Sequence, residues 1–138
     1  GSFLCAQQAG KLMAINGCGS IVNISSIYGM VAPDQRIYGN SGLNAAPSYS
    51  ASKAAVINLS KHIAAHYRGT KIRSNSLSLG GVFNSQDPGF VKKYNQKCIL
   101  GRMASKHEYS AALLFLLSEA SSYMTGSNLV IDGGWCAW

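Results

Sequence analysis

Apolar and polar positions fall into blocks along this chain, and the length and spacing of each block select an element. Residues 3–14 make an apolar, helix-like stretch that stops at Asn16-Gly17-Cys18-Gly19, where two glycines predict a turn. Ser20-Ile21-Val22-Asn23-Ile24-Ser25 is a short β-branched run bounded by glycine, which predicts a buried strand. Residues 29–47 collect Gly, Pro, Asn and Ser and predict a long loop, of the kind that is functional or mobile in compact domains. From Ser48 to Tyr67 the pattern turns helical: Ala54, Ala55, Ile57, Leu59, Ile63 and Ala64 supply the apolar surface, and Arg68-Gly69 ends it. Residues 71–78 predict a second strand followed by Leu79-Gly80-Gly81, and the polar run 84–97 holds a short helix. Glu108 to Leu117 predicts another helix around the block Ala111–Leu117, and residues 127–132 a last strand closed by Gly133-Gly134. Strand, helix, strand, helix, strand is the order of a parallel sheet covered by helices, so the expected class is α/β.

Composition narrows the class of function. At 138 residues, with 47% hydrophobic and 12% charged residues, the chain has room for one domain and a moderate core, and is not disordered. No apolar run reaches the length of a membrane span, and the first eight residues lack a basic leader, so neither a membrane partner nor a signal peptide is expected. Cys5, Cys18, Cys98 and Cys136 form no Cys-x-x-Cys pair, which fits a reducing, cytoplasmic setting. The net charge of +7 raises the question of a polyanion. Apart from Lys92, Lys93, Lys97, Arg102 and Lys106 the basic residues are dispersed, and no aromatic-rich strand accompanies them, so nucleic acid is not expected. His62 and His66 have the i, i+4 spacing of a shared metal, but Ile63 stands where a metalloprotease carries its glutamate and no third ligand is evident; no metal is expected.

The candidate chemistry lies in Pro47-Ser48-Tyr49-Ser50-Ala51-Ser52-Lys53. On a helix, a spacing of four puts the Tyr49 phenol beside the Lys53 ammonium, a neighbour that favours phenolate and so lowers a tyrosine's pKa. Such a tyrosine trades protons with a carbonyl or alcohol near neutral pH. In a chain with seven tyrosines the same spacing also arises by chance as a plain surface pair. The neighbouring motifs bear on that choice. Asn23-Ile24-Ser25-Ser26 ends one strand, Tyr49-x-x-x-Lys53 opens the next helix, and Ile72-Arg73-x-Asn75 forms the following strand. Gly80-Gly81 comes after it, and Tyr123-x-Thr125-Gly126 precedes Val130-Ile131-Asp132-Gly133-Gly134.

In that order these motifs resemble the C-terminal part of the short-chain dehydrogenase/reductases, and the resemblance covers essentially all 138 residues. Ser26-Ile27-Tyr28-Gly29 with its long loop, Gly101-Arg102-Met103-Ala104 and the Trp135-x-x-Trp138 ending look like bacterial members linked to sugar or surface-polysaccharide metabolism. The resemblance implies a Rossmann-like parallel sheet with flanking helices, present only as its C-terminal part: residues 1–138 as a single partial domain lacking the N-terminal dinucleotide-binding half. It implies an NAD(P)-dependent oxidoreductase, NAD or NADP, that interconverts a carbonyl and an alcohol on a small polar or sugar-like molecule. Ser26 would bond the substrate oxygen, Tyr49 would give or take the proton, and Lys53 would lower the tyrosine pKa and bind the nicotinamide ribose. Tyr49, Lys53, Gly80, Gly81, Val82 and Asn84 would contact the cofactor, with backbone groups near Val82 on the carboxamide. The family's helices corresponding to residues 3–14 and 49–67 pack between subunits, which implies a homo-oligomer.

The chain departs from the pattern in three places. Leu79 replaces a usual proline, which predicts a less rigid loop, and Asn84 stands where threonine is frequent. The loop between Ser26 and Tyr49 is longer than usual, placing Asp34, Gln35, Arg36, Tyr38 and Asn40 as candidates for the substrate entrance or as a solvated excursion. No glycine-rich phosphate loop occurs: Gly17-x-Gly19 lies before a strand and lacks a third glycine. A competing reading is therefore a non-catalytic remnant that serves only folding or oligomerisation.

Overall fold

The computed structural model describes residues 1–138. Helix α1 (Ser2–Asn16) stops at Gly17, whose φ of 80° is left-handed and whose N–H bonds the Ala14 carbonyl. That one residue makes the whole turn, so strand β1 (Cys18–Ser26) starts two residues earlier than its β-branched run suggests. Helix α2 (Pro47–His66) begins on a proline, which presets the first helical φ and needs no N–H partner there. Strand β2 (Lys71–Leu79), helix α3 (Pro88–Lys97), helix α4 (Ser110–Leu117) and strand β3 (Asn128–Ile131) complete the chain. Asp87 caps α3 by accepting the Phe90 N–H. The predicted long loop is not structureless: Ile27–Gly29 and Gln35–Tyr38 are 3₁₀ turns.

The three strands form one parallel sheet in the order β1-β2-β3. Its register aligns Ser26 with Leu79 and Leu79 with Ile131, so all three strands end in one row. Ser26 stands in that row, and Gly80-Gly81 follow it directly.

Strand β2 carries an unusual interior, with Ser74, Asn75, Ser76 and Ser78 fully buried. Small hydroxyls let helices approach closely, and most of these polar atoms are paired. Asn75 donates to the Met124 carbonyl (2.8 Å) and accepts from Ser127 N–H (3.0 Å), while Ser76 and Ser78 both donate to Asn128 Oδ1. Arg73 closes the end of α4 with bonds to the Leu116 and Ser118 carbonyls and to Ser121 Oγ. The Ile-Arg-x-Asn motif thus ties β2 to the segment between α4 and β3.

Two apolar clusters flank the sheet. Ala6, Ile21 and Ile63 join α1, β1 and α2. Ile27, Ile37, Tyr94, Cys98, Met103 and Trp135 pack beyond the strand ends, under α3 and the 3₁₀ turns. Only 24 of 138 residues are buried, and Phe3, Leu12 and Ile15 of α1, Ile24 of β1 and Leu114 of α4 stand exposed. No helix is long and apolar enough to cross a membrane.

Candidate active site

The height of α2 on the sheet fixes the site, and it is set by polar contacts from β1. Asn23 Nδ2 donates to Ser60 Oγ (2.9 Å), and Ser25 Oγ donates to the Lys53 carbonyl (2.8 Å). Gly29 completes the seat, because a methyl group there would stand 2.7 Å from the Lys53 carbonyl carbon. The start of α2, with Tyr49, is therefore held over the end of β1, with Ser26.

Ser26, Tyr49, Gly80, Gly81 and Val82 line one cleft of about 550 Å³. Ser26 is buried, and its Oγ accepts from the Tyr28 N–H (3.2 Å), leaving its own proton free to donate. The local backbone role and a role toward a ligand are thus compatible in this side chain. Tyr49 is 44% exposed. Lys53 lies beside the cleft and not on its wall: its Nζ donates to the Ile24 carbonyl (3.0 Å) and sits 5.7 Å from the centre of the Tyr49 ring. Two ammonium protons of Lys53 remain for another acceptor. Asn84 does not line the cleft; its N–H bonds Gln86 Oε1.

The glycine loop is firmly held without a proline. Gly80 N–H bonds the Ile131 carbonyl (2.8 Å), and Tyr109 OH donates to the Gly80 carbonyl (3.1 Å). Gly81 N–H bonds Tyr94 OH, and the Gly81 carbonyl accepts from Ala104 N–H. Gly80 and Gly81 admit no side chain, since a methyl would press on Asp132 and on the Tyr94 ring. These tertiary hydrogen bonds tie the loop down on both sides with Leu79 in the proline's place. Phe83 N–H also bonds Ala104, and the Val82 carbonyl accepts from Gln86 Nε2. The Val82 N–H, by contrast, has no acceptor within the chain.

Of the five entrance candidates only Tyr38 lines the cleft. Asp34 is held by Arg36 Nε (2.9 Å) and by Lys97, contacts that keep its carboxyl well below the usual range. Gln35 brackets Ala45 with two bonds, and Asn40 opens onto a separate surface groove. Much of the remaining wall is aromatic, from Tyr28, Phe90 and Tyr94, with Tyr94 stacked on Trp135 at 4.2 Å, and Asn44 and Gln86 add amides. Burial above all pushes the Tyr28 and Tyr94 phenols up, so both stay protonated across neutral pH. Sequence reasoning missed this wall: Phe90 and Tyr94 sit four apart on α3, but Tyr28 joins them from the distant end of β1, and no local spacing links the two segments. His62 and His66 lie far along α2 in a groove with Phe3 and Tyr67.

The sequence and its fold recur in known proteins. A family model described as enoyl-(acyl carrier protein) reductase matches residues 1–136. The chain is 35% identical over 135 residues to post-translational flagellin modification protein A of Campylobacter coli, covering 98% of this chain and 53% of that protein. It is 33% identical over 144 residues to galactitol 2-dehydrogenase (L-tagatose-forming) of Cereibacter sphaeroides, covering 100% and 54%. Among solved structures, a short-chain dehydrogenase of Leptospira borgpetersenii with bound NAD+ superposes with a TM-score of 0.90 at 38% identity, covering 96% of this chain and 51% of that one. The chain spans about half the length of the curated relatives it matches.

Proposed function

The chain belongs to the short-chain dehydrogenase/reductase family, and on that premise we propose that residues 1–138 are one partial Rossmann-like domain carrying the proton-transfer site of an NAD(P)-dependent oxidoreductase. The reaction interconverts a carbonyl and an alcohol on a small polar or sugar-like molecule. The single observation that carries this reading is the meeting of Ser26, Tyr49 and the Gly80-Gly81-Val82 backbone on one cleft at the strand ends, with the Lys53 ammonium beside the Tyr49 ring. Relatives named for galactitol and for glycerol support a hydroxylated substrate.

The residues present suit the nicotinamide end of the cofactor. The unpartnered Val82 N–H suits a carboxamide oxygen, and the spare Lys53 protons suit ribose hydroxyls. Asn84 extends this edge only through its side-chain amide, from outside the cleft. When bound, the cofactor supplies or accepts the hydride at the substrate carbon. In reduction, Ser26 Oγ–H bonds the substrate oxygen and steadies the charge that grows on it. Tyr49 OH gives its proton to that oxygen and becomes phenolate; oxidation runs the same transfer in reverse. Lys53 Nζ stands 5.7 Å from the centre of the ring on which that negative charge forms.

Tyr49→Phe tests the reading in the protein as expressed from its own gene. Turnover should fall at least about a hundredfold with the circular dichroism unchanged. A Tyr49→Phe variant that keeps full turnover would sink the assignment. A non-catalytic folding or oligomerising piece is the second reading, favoured by the exposed Leu12, Ile15 and Leu114; it expects no turnover to lose.

A further inference from the structure

Resting on that oxidoreductase reading, we propose that the substrate is an uncharged polyhydroxylated ketone or alcohol, without carboxylate or phosphate, and that Tyr38 and Asn44 select it. The first observation is a contrast of charge. The chain carries 12 Lys and Arg and a net charge of +7. Yet the 16 residues lining the cleft include no Lys, Arg, His, Asp or Glu.

The nearby charges are engaged elsewhere. Asp34 is gripped by Arg36 and Lys97 behind the 3₁₀ turn, and Lys93 Nζ donates to the Arg36 carbonyl (3.1 Å). Asp132 accepts from Gly134 and Cys136 N–H groups, and the Lys53 ammonium stands beside the wall, bonded to the Ile24 carbonyl, with its spare protons suited to the cofactor's ribose. An anionic group entering the cleft would lose water against walls that offer it no counter-charge.

The walls suit a neutral hydroxylated molecule on two counts. Tyr38 and Phe90 lie 5.3 Å apart, and Phe90 and Tyr94 6.0 Å, making a continuous run of rings. Ring faces are electron-rich: they accept C–H groups and repel anions. Hydrogen-bonding groups then punctuate the apolar surface. Tyr28, raised by burial and by its neighbour Tyr38, remains a neutral phenol. Asn44 lines the cleft and its chain is held on both sides, since Leu43 N–H bonds Ser41 Oγ and Ala45 is bracketed by Gln35; its amide has no partner within the chain. A few oriented neutral donors and acceptors on an apolar wall discriminate by matching hydroxyls.

The test uses the protein as expressed from its own gene, with a neutral ketose and its polyol, the aldonate of the same chain length, and the phosphate ester of the same ketose. Nicotinamide absorbance gives kcat/KM, expected to be at least about 100-fold higher for the neutral pair. Tyr38→Arg should shift the ratio toward the anions by at least about tenfold, and Asn44→Ala should raise KM for the neutral pair with little change in kcat. Equal or better turnover of the aldonate or phosphate overturns the proposal. Variants that slow all substrates equally overturn the selecting role of Tyr38 and Asn44. If nothing in the panel turns over and Tyr49→Phe changes nothing, the oxidoreductase reading itself fails. Saturation-transfer NMR with the same ligands then still decides charge preference, and stronger binding of either anion overturns it.

Discussion

Gly29 is the residue on which the geometry of the cleft turns. Its backbone touches the Lys53 peptide so closely that any Cβ must push α2 away from β1. Gly29→Ala should therefore destabilise the chain by about 1–3 kcal/mol, the usual range for overpacking. It should also separate Tyr49 from Ser26, lowering kcat more than melting temperature alone would explain. Thermal unfolding and kinetics on the same preparation check both. Tyr94 acts differently, stacked on Trp135 and accepting the Gly81 N–H. Tyr94→Phe leaves that part-buried N–H without its partner and should lower the melting temperature, at a cost of about 1 kcal/mol read by thermal unfolding.

Among elements, the segment before α4 is pinned by charge. Glu108 accepts from both Arg102 Nη atoms at 2.7 Å and from Ser105 N–H. These bonds, with Arg102 the largest cause, lower its pKa to about 2 from an ordinary 4.5. Because the folded pKa is the lower one, the stabilisation is complete above about 4.5 and is lost as the pH falls toward 2. Glu108→Gln should flatten the stability profile across that window, read as urea midpoints at stepped pH. An unchanged profile would show that the pair contributes nothing. The Asp34 contacts to Arg36 and Lys97 follow the same sign and join the 3₁₀ turn to α3, two elements that share the cleft wall.

On the scale of the whole molecule, the core is thin for the length of the chain. With 24 of 138 residues buried and large side chains exposed on α1, β1 and α4, the 138 residues alone should associate. Sedimentation velocity across a concentration series would show mass rising with concentration; a monomer throughout would contradict the oligomer proposal. Nicotinamide-end contacts without a Gly-x-Gly-x-x-Gly loop also predict weak NAD(P)H binding by these residues. Tight saturable binding by calorimetry would refute that prediction.

The sequence determined what is local or strictly ordered along the chain. Apolar runs, Gly17 as a helix stop and Pro47 as a helix start specify elements by short-range rules, and the order of Asn23–Ser26, Tyr49-x-x-x-Lys53, Arg73-x-Asn75 and Gly80-Gly81 specified the family and a parallel sheet. Strand ends erred by a residue or two, as at Cys18, because a left-handed glycine turns the chain faster than a loop does. The tertiary structure alone decided which side chains share the cleft. It brought in Tyr28, Asn44, Phe90 and Tyr94, admitted Tyr38, and left Asp34, Gln35, Arg36 and Asn40 outside. It also put Lys53 beside the wall and Asn84 off it. The physical reason is range. A helix or turn answers to neighbours within four residues, whereas a cleft wall is set by register, by the close approach at Gly29, and by hydrogen bonds joining residues dozens of positions apart.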